Sequence, residues 1–314
     1  MRFNPKARLN TRRMGDSGRS GAGAGGGVGG SGAGIPIPGG LAGGGITGLI
    51  VVVVIVGISL WLGGGLPGGS ASGFDTDRMS DTGRYEKCET GEDANESADC
   101  ARVAVENSLY DYWSEALPAQ SSTGFEAEKK VQTFSGGVST GCGQASADVG
   151  PFYCPADMTI YLDTTFFEEV LERQLGGPSG AFVEPYVLAH EYGHHIQNLM
   201  GTMGRVRTQQ GPQSDAVRLE LQADCYAGMW AKAAATTEDD EGNVLISDLT
   251  REDIQQAIAA ATAVGDDRIQ SASGGEVDPD GFTHGTSEQR VRWFETGYQD
   301  GTLEACDTFA ASSL

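Results

Sequence analysis

Three of the chain's four histidines fall within six residues: His190, His194 and His195. His190 and His194 are four apart, so on a helix both imidazoles leave one face and can share a tetrahedral ion. Glu191 follows directly, giving His190-Glu191-Tyr192-Gly193-His194. In this H-E-x-x-H arrangement two histidines hold zinc and the glutamate takes a proton from water. Glu220 and Asp224 are again four apart. From a second helix they would supply a third ligand and a carboxylate to accept the other N–H of His190. Three protein ligands, His190, His194 and Glu220, would leave a fourth position on the ion for water.

These side chains need two facing helices. One is predicted from Pro185, a favourable first-turn residue, to Leu199 before Gly201; the other runs from about Ser214 to Ala235. On the first, His195 points away from His194 and is read as structural, and Tyr192 as a packing residue. A further helix, capped by Asp99, is expected to reach Leu117 ahead of Pro118. Others begin at Thr250, with Asp253 three residues on, and at Thr286, with Gln289 as its partner. Thr159–Leu162 reads as a short β segment, either a core strand or an edge on which a substrate could lie. Asp266 and Asp267 read as a helix-terminal turn, since no twelve-residue calcium loop surrounds them. Thr237–Glu241 reads as a solvated loop.

With those motifs in order along the chain, the sequence resembles the bacterial neutral zinc metallopeptidase family, a gluzincin-like pattern of H-E-x-x-H followed by E-x-x-x-D. The resemblance rests on FYCPADMTIYLD (Phe152–Asp163), AHEYGHHIQ (Ala189–Gln197), RLELQADCYAGMW (Arg218–Trp230), GDDRIQ (Gly265–Gln270) and HGTSEQRVRWFETGY (His284–Tyr298). It covers about residues 75–298. It implies an α+β fold, a mostly helical zincin-like domain with a small sheet, and peptide-bond hydrolysis with Zn2+, with Glu191 as general base. The only histidine outside the cluster, His284, would then be a catalytic donor to the oxyanion, or else a cap or packing residue. Arg290 would support His284 or pair with an acidic residue. A zinc-stabilised binding module without catalysis is the competing reading. It has no chemical use for a non-ligating carboxylate at Glu191.

Composition divides the chain unevenly. Of its 48 glycines, 24 precede Phe74, and 43 acidic residues face 21 basic ones overall. The first 45 residues nevertheless hold six basic side chains and the single Asp16. An acidic main domain excludes nucleic acid as its partner. From Ser20 to Phe74 no charged residue occurs, and within that gap lies LAGGGITGLIVVVVIVGISLWL (Leu41–Leu62). At 1.5 Å per residue this run could span about 33 Å, near the thickness of a hydrocarbon core.

The expected organisation is therefore a disordered basic, glycine-rich cytoplasmic tail (1–40), a single transmembrane anchor (41–62), a linker (63–83) and a zinc metallopeptidase domain outside the cytoplasm (84–314). A cleaved signal peptide is the alternative for the run. The expected partners are a protein or peptide substrate and the cell membrane. In an oxidising compartment the six cysteines suggest pairs Cys88–Cys100, Cys142–Cys154 and Cys225–Cys306, one of fifteen connectivities.

Overall fold

The computed structural model describes residues 1–19, 81–146, 149–239, 241–274 and 276–314. Along the chain it forms β1 (Arg2–Phe3), β2 (Met14–Arg19), α1 (Gly91–Glu96), α2 (Ala98–Gln120), β3 (Lys130–Ser135), β4 (Gly137–Thr140), β5 (Gly143–Ser146), β6 (Phe152–Cys154) and β7 (Thr159–Asp163). A π-helical turn (Phe167–Glu172) leads to α3 (Val183–Leu199), α4 (Asp215–Ala233), β8 (Ile246–Asp248), α5 (Arg251–Ala263), α6 (Asp266–Ala272) and α7 (Ser287–Asp300). The fold is mixed α and β, with helices dominant and the sheets small.

Local sequence chemistry sets the helix starts. Ser214 accepts from the Val217 N–H at the head of α4. Capping boxes form at Thr250 with Asp253 and at Thr286 with Gln289, each satisfying two otherwise orphaned donors. Pro118 lies inside the last turn of α2 rather than beyond it, and Ser121 closes that helix by donating its N–H and hydroxyl to the Leu117 carbonyl.

The central sheet has the order β2-β3-β7-β6, with β2, β3 and β7 parallel and β6 antiparallel to β7. Thr159–Asp163 is thus an interior strand, buried along its length, and the sheet's edge on that side is β6. In the core, Phe182 stacks on Trp230 at 5.7 Å, and Trp230 Nε1 donates to Ser108 Oγ at 3.1 Å, joining α2 to α4. The disulfides are Cys88–Cys100, Cys142–Cys154 and Cys225–Cys306, the last fixing α4 to the C-terminal segment.

The expectation of a disordered tail over residues 1–40 is corrected for its first part. Residues 1–19 are an ordered arm of the same domain. β1 pairs with β8, β2 with β3, and Phe3, Ala7 and Met14 are buried. The arm has too few apolar side chains to fold alone; its order comes from strands and acids far away in sequence. The linker also ends earlier than expected, because Thr82 already donates its N–H to the Asp16 carbonyl. The run 41–62 lies outside the described residues. Among the described residues no helix is long and apolar enough to cross a membrane.

Candidate metal centre

α3 and α4 bring His190, His194 and Glu220 together, their ligand atoms all within 4.8 Å of one another. Gly193 permits this approach, since a Cβ there would lie 3.0 Å from the Ala223 carbonyl oxygen on α4. Each histidine is oriented from behind. His190 Nδ1 is 2.8 Å from Asp224 Oδ1, and His194 Nδ1 is 2.8 Å from Gln197 Oε1. Both Nε2 atoms therefore face Glu220, at 3.2 Å from Oε2 and 3.5 Å from Oε1.

The donor set suits a divalent cation of the zinc type. Glu220 Oε1 is buried and has no hydrogen-bond partner among the described residues. Burial acts to raise the Glu220 carboxyl, but His194 and His190 outweigh it and hold it far below the usual carboxylate range. His190 shows the same field from the other side: burial lowers it, yet Asp224 and Glu220 drive it up to about 10. Two buried carboxylates thus make this point favourable for positive charge, which an ion would satisfy.

Asp224 is fully enclosed and saturated. It accepts from Tyr186 Oη at 2.6 Å, from His190 Nδ1, and from Arg290 through Nε at 2.8 Å and Nη2 at 3.0 Å. Arg290 is accordingly the partner of Asp224, not of His284. Burial would raise Asp224, and Arg290 and His190 bring it down to about 2.

Glu191 is buried, and its carboxylate makes no hydrogen bond among the described residues. Burial pushes it above the ordinary glutamate range against the pull of both histidines. His284 reaches the same region from the loop before α7, close enough to Glu220 that each shifts the other's proton affinity. Asp266 fixes that loop: its Oδ2 accepts the N–H groups of Thr283, His284 and Gly285 at 2.8, 2.7 and 2.9 Å. Its Oδ1 lies 3.2 Å from His284 Nδ1, which also meets Thr283 Oγ1 at 2.8 Å. His284 Nε2 has no hydrogen bond among the described residues. Asp267 accepts from the N–H and hydroxyl of Ser287, so both acids of this turn serve the loop.

The other two residues around the motif face elsewhere. His195 bonds Tyr153 Oη and the Glu126 carbonyl, at 3.0 and 2.7 Å, and burial lowers it to about 4. Tyr192 points away from the metal-site side chains, toward Glu128 and Glu106. Sequence reasoning missed Gln197, Tyr186 and Asp266. Gln197 sits three residues after His194 on one helix, a spacing that places it within reach. Asp266 is separated from His284 by 18 positions and leaves no local signal.

Paired helices presenting a buried His–His–Glu set, with a free glutamate beside it, define a metal-site domain of the H-E-x-x-H class. The chain belongs to the family described as "Putative neutral zinc metallopeptidase", which it matches over residues 6–309. That match takes in most of the N-terminal arm, outside the 75–298 span that the motifs alone cover. The chain is 47% identical over 253 residues to an uncharacterized protein of Mycobacterium bovis and to one of Mycobacterium tuberculosis, covering 79% of this chain and 84% of each relative. It is 42% identical over 191 residues to the uncharacterized protein YpfJ of Escherichia coli K12, covering 59% of this chain and 63% of that one. No solved structure matches it.

Proposed function

We propose that the chain is a zinc-dependent metallopeptidase that hydrolyses peptide bonds in protein or peptide substrates outside the cytoplasm. The observation that carries this reading is Glu191, a buried carboxylate beside the His190–His194–Glu220 set that holds no structural partner. A purely structural zinc site needs its ligands and has no use for such a group. The three disulfides support an oxidising location.

A zinc ion held by His190, His194 and Glu220 would act as a Lewis acid toward water and a carbonyl oxygen. Glu191 is placed to take the proton of the attacking water and to return it to the departing amine, which balances the addition of one water across one amide bond. His284, held by Asp266 at Nδ1, leaves Nε2 free to donate toward the carbonyl oxygen as negative charge develops there. Asp224, itself neutralised by Arg290, keeps His190 in the tautomer that turns Nε2 inward.

The test compares zinc-loaded full-length protein with Glu191→Gln on a diverse peptide library. Wild type is expected to cleave, and the variant to retain its zinc while losing about 10²–10⁴-fold in rate. A wild-type protein that holds zinc and cleaves nothing, or a variant as fast as wild type, would overturn the proposal.

A further inference from the structure

The N-terminal arm is joined to the metal-site domain along its whole length. The Met1 ammonium donates to both oxygens of buried Asp253 at 2.6 and 2.7 Å. Phe3 and Asn95 exchange two hydrogen bonds, at 3.0 and 2.9 Å, as do Asn10 and Asn107 at 2.7 and 2.9 Å. Ala7 O accepts from the Gly91 N–H at 2.9 Å. Gly91 is shaped for this contact, since a Cβ there would come within 2.0 Å of the Asn4 carbonyl oxygen. Arg13 reaches buried Glu106 at 2.6 Å and lies 3.9 Å over the Tyr110 ring. β2 covers what would otherwise be an open edge of β3.

The domain is thus built to receive this arm. Without it, Asp253 loses a buried cation, Glu106 loses its guanidinium and β3 loses a strand. The point of exit and the point of return are also adjacent: Thr82 donates its hydroxyl to Asp16 Oδ2 at 2.6 Å and its N–H to Asp16 O at 3.0 Å. A hydrocarbon core is about 30 Å thick. Contacts of 3 Å between the two flanks and a bilayer between them are mutually exclusive.

We infer that the arm and the metal-site domain lie on the same side of any membrane the chain meets. The opposite-sided arrangement expected from the basic N-terminus is incompatible with the pairing of β2 and β3. Of the basic side chains that favour a cytoplasmic tail, Arg13 is engaged by Glu106. The inference is independent of whether the site is catalytic.

Two short epitopes test it in cells making the full chain, one inserted within 21–34 and one within 66–73, both leaving Met1 free. An impermeant probe is expected to treat them alike, reaching both in intact cells or both only after permeabilisation. One epitope reached from outside and the other only from inside would overturn the inference. Gly15→Cys combined with Gln132→Cys gives a second readout, since these positions are register partners in β2 and β3. The pair is expected to form a disulfide and lose both thiols to alkylating reagent, while each single variant keeps one. A zinc-loaded double variant with two free thiols under oxidising conditions would overturn it as well.

Discussion

Arg13 offers the sharpest test of how the arm supports the domain. Its Nε lies 2.6 Å from Glu106 Oε1 and 3.5 Å from Glu128 Oε1, and both glutamate side chains are 0% exposed. Burial, with the Glu106 carboxyl beside it, pushes Glu128 well above the ordinary range. The Arg13 guanidinium is the cation beside this buried pair. Replacing Arg13 by Met leaves Glu106 buried without its cationic partner, a change that costs about 3–5 kcal/mol. At roughly 2–4 °C per kcal/mol for a domain of this size, the melting temperature should fall by about 6–20 °C. Thermal melts of wild type, Arg13→Met, Glu106→Gln and the double variant measure this directly. The double variant should recover most of the loss, because the stranded charge is gone. Melting of Arg13→Met within about 2 °C of wild type would refute the reasoning.

Asp224→Asn, which weakens the hold on His190 while keeping the shape of the side chain, is expected to lower zinc affinity about 10–100-fold in competition with a chelator; unchanged affinity would remove Asp224 from its orienting role. Asp266→Asn should leave zinc content intact and reduce kcat about 10²-fold by loosening His284, and an equal kcat would show that His284 is not a donor in the reaction. Acetylating Met1 removes the cation from Asp253 and should lower stability by about 1.5–3 kcal/mol at pH 7 in denaturant titration. Burial works to raise Asp253, but the Met1 ammonium and Thr250 hold it below the ordinary carboxylate range. Its contribution is therefore present above about pH 4 and fades as pH falls through the depressed folded pKa. The acetylated protein should show a smaller acid loss in that window than the free one.

The parts legible in the sequence are those with local causes. Spacings of four on α3 and α4 disclosed His190, His194, Glu220 and Asp224 as a set, and Ser214, Thr250 and Thr286 marked helix starts within a residue or two. The cysteine pairs were also anticipated. What escaped has partners far along the chain. Asp266 reads locally as a solvated turn, though it receives three backbone N–H groups from the His284 loop. The arm reads as a basic tail because its order depends on Asn95, Glu106, Asn107, Lys130–Ser135 and Asp253. A two-residue strand such as β1 has no periodicity to detect.

The bond between Met1 and Asp253 joins residues 252 positions apart in the chain. The arm is made before α5 and cannot complete this contact until α5 has been synthesised. Until then β3 has an uncovered edge, and the buried acids that Arg13 and Met1 will neutralise must stay hydrated or protonated. Docking of these nineteen residues is expected to be a late step of folding with a long loop to gather, the kind of contact that slows acquisition of the native state. A chain whose amine is blocked, or whose leading residues are displaced by a fusion, should accumulate with helices formed and this last seam open.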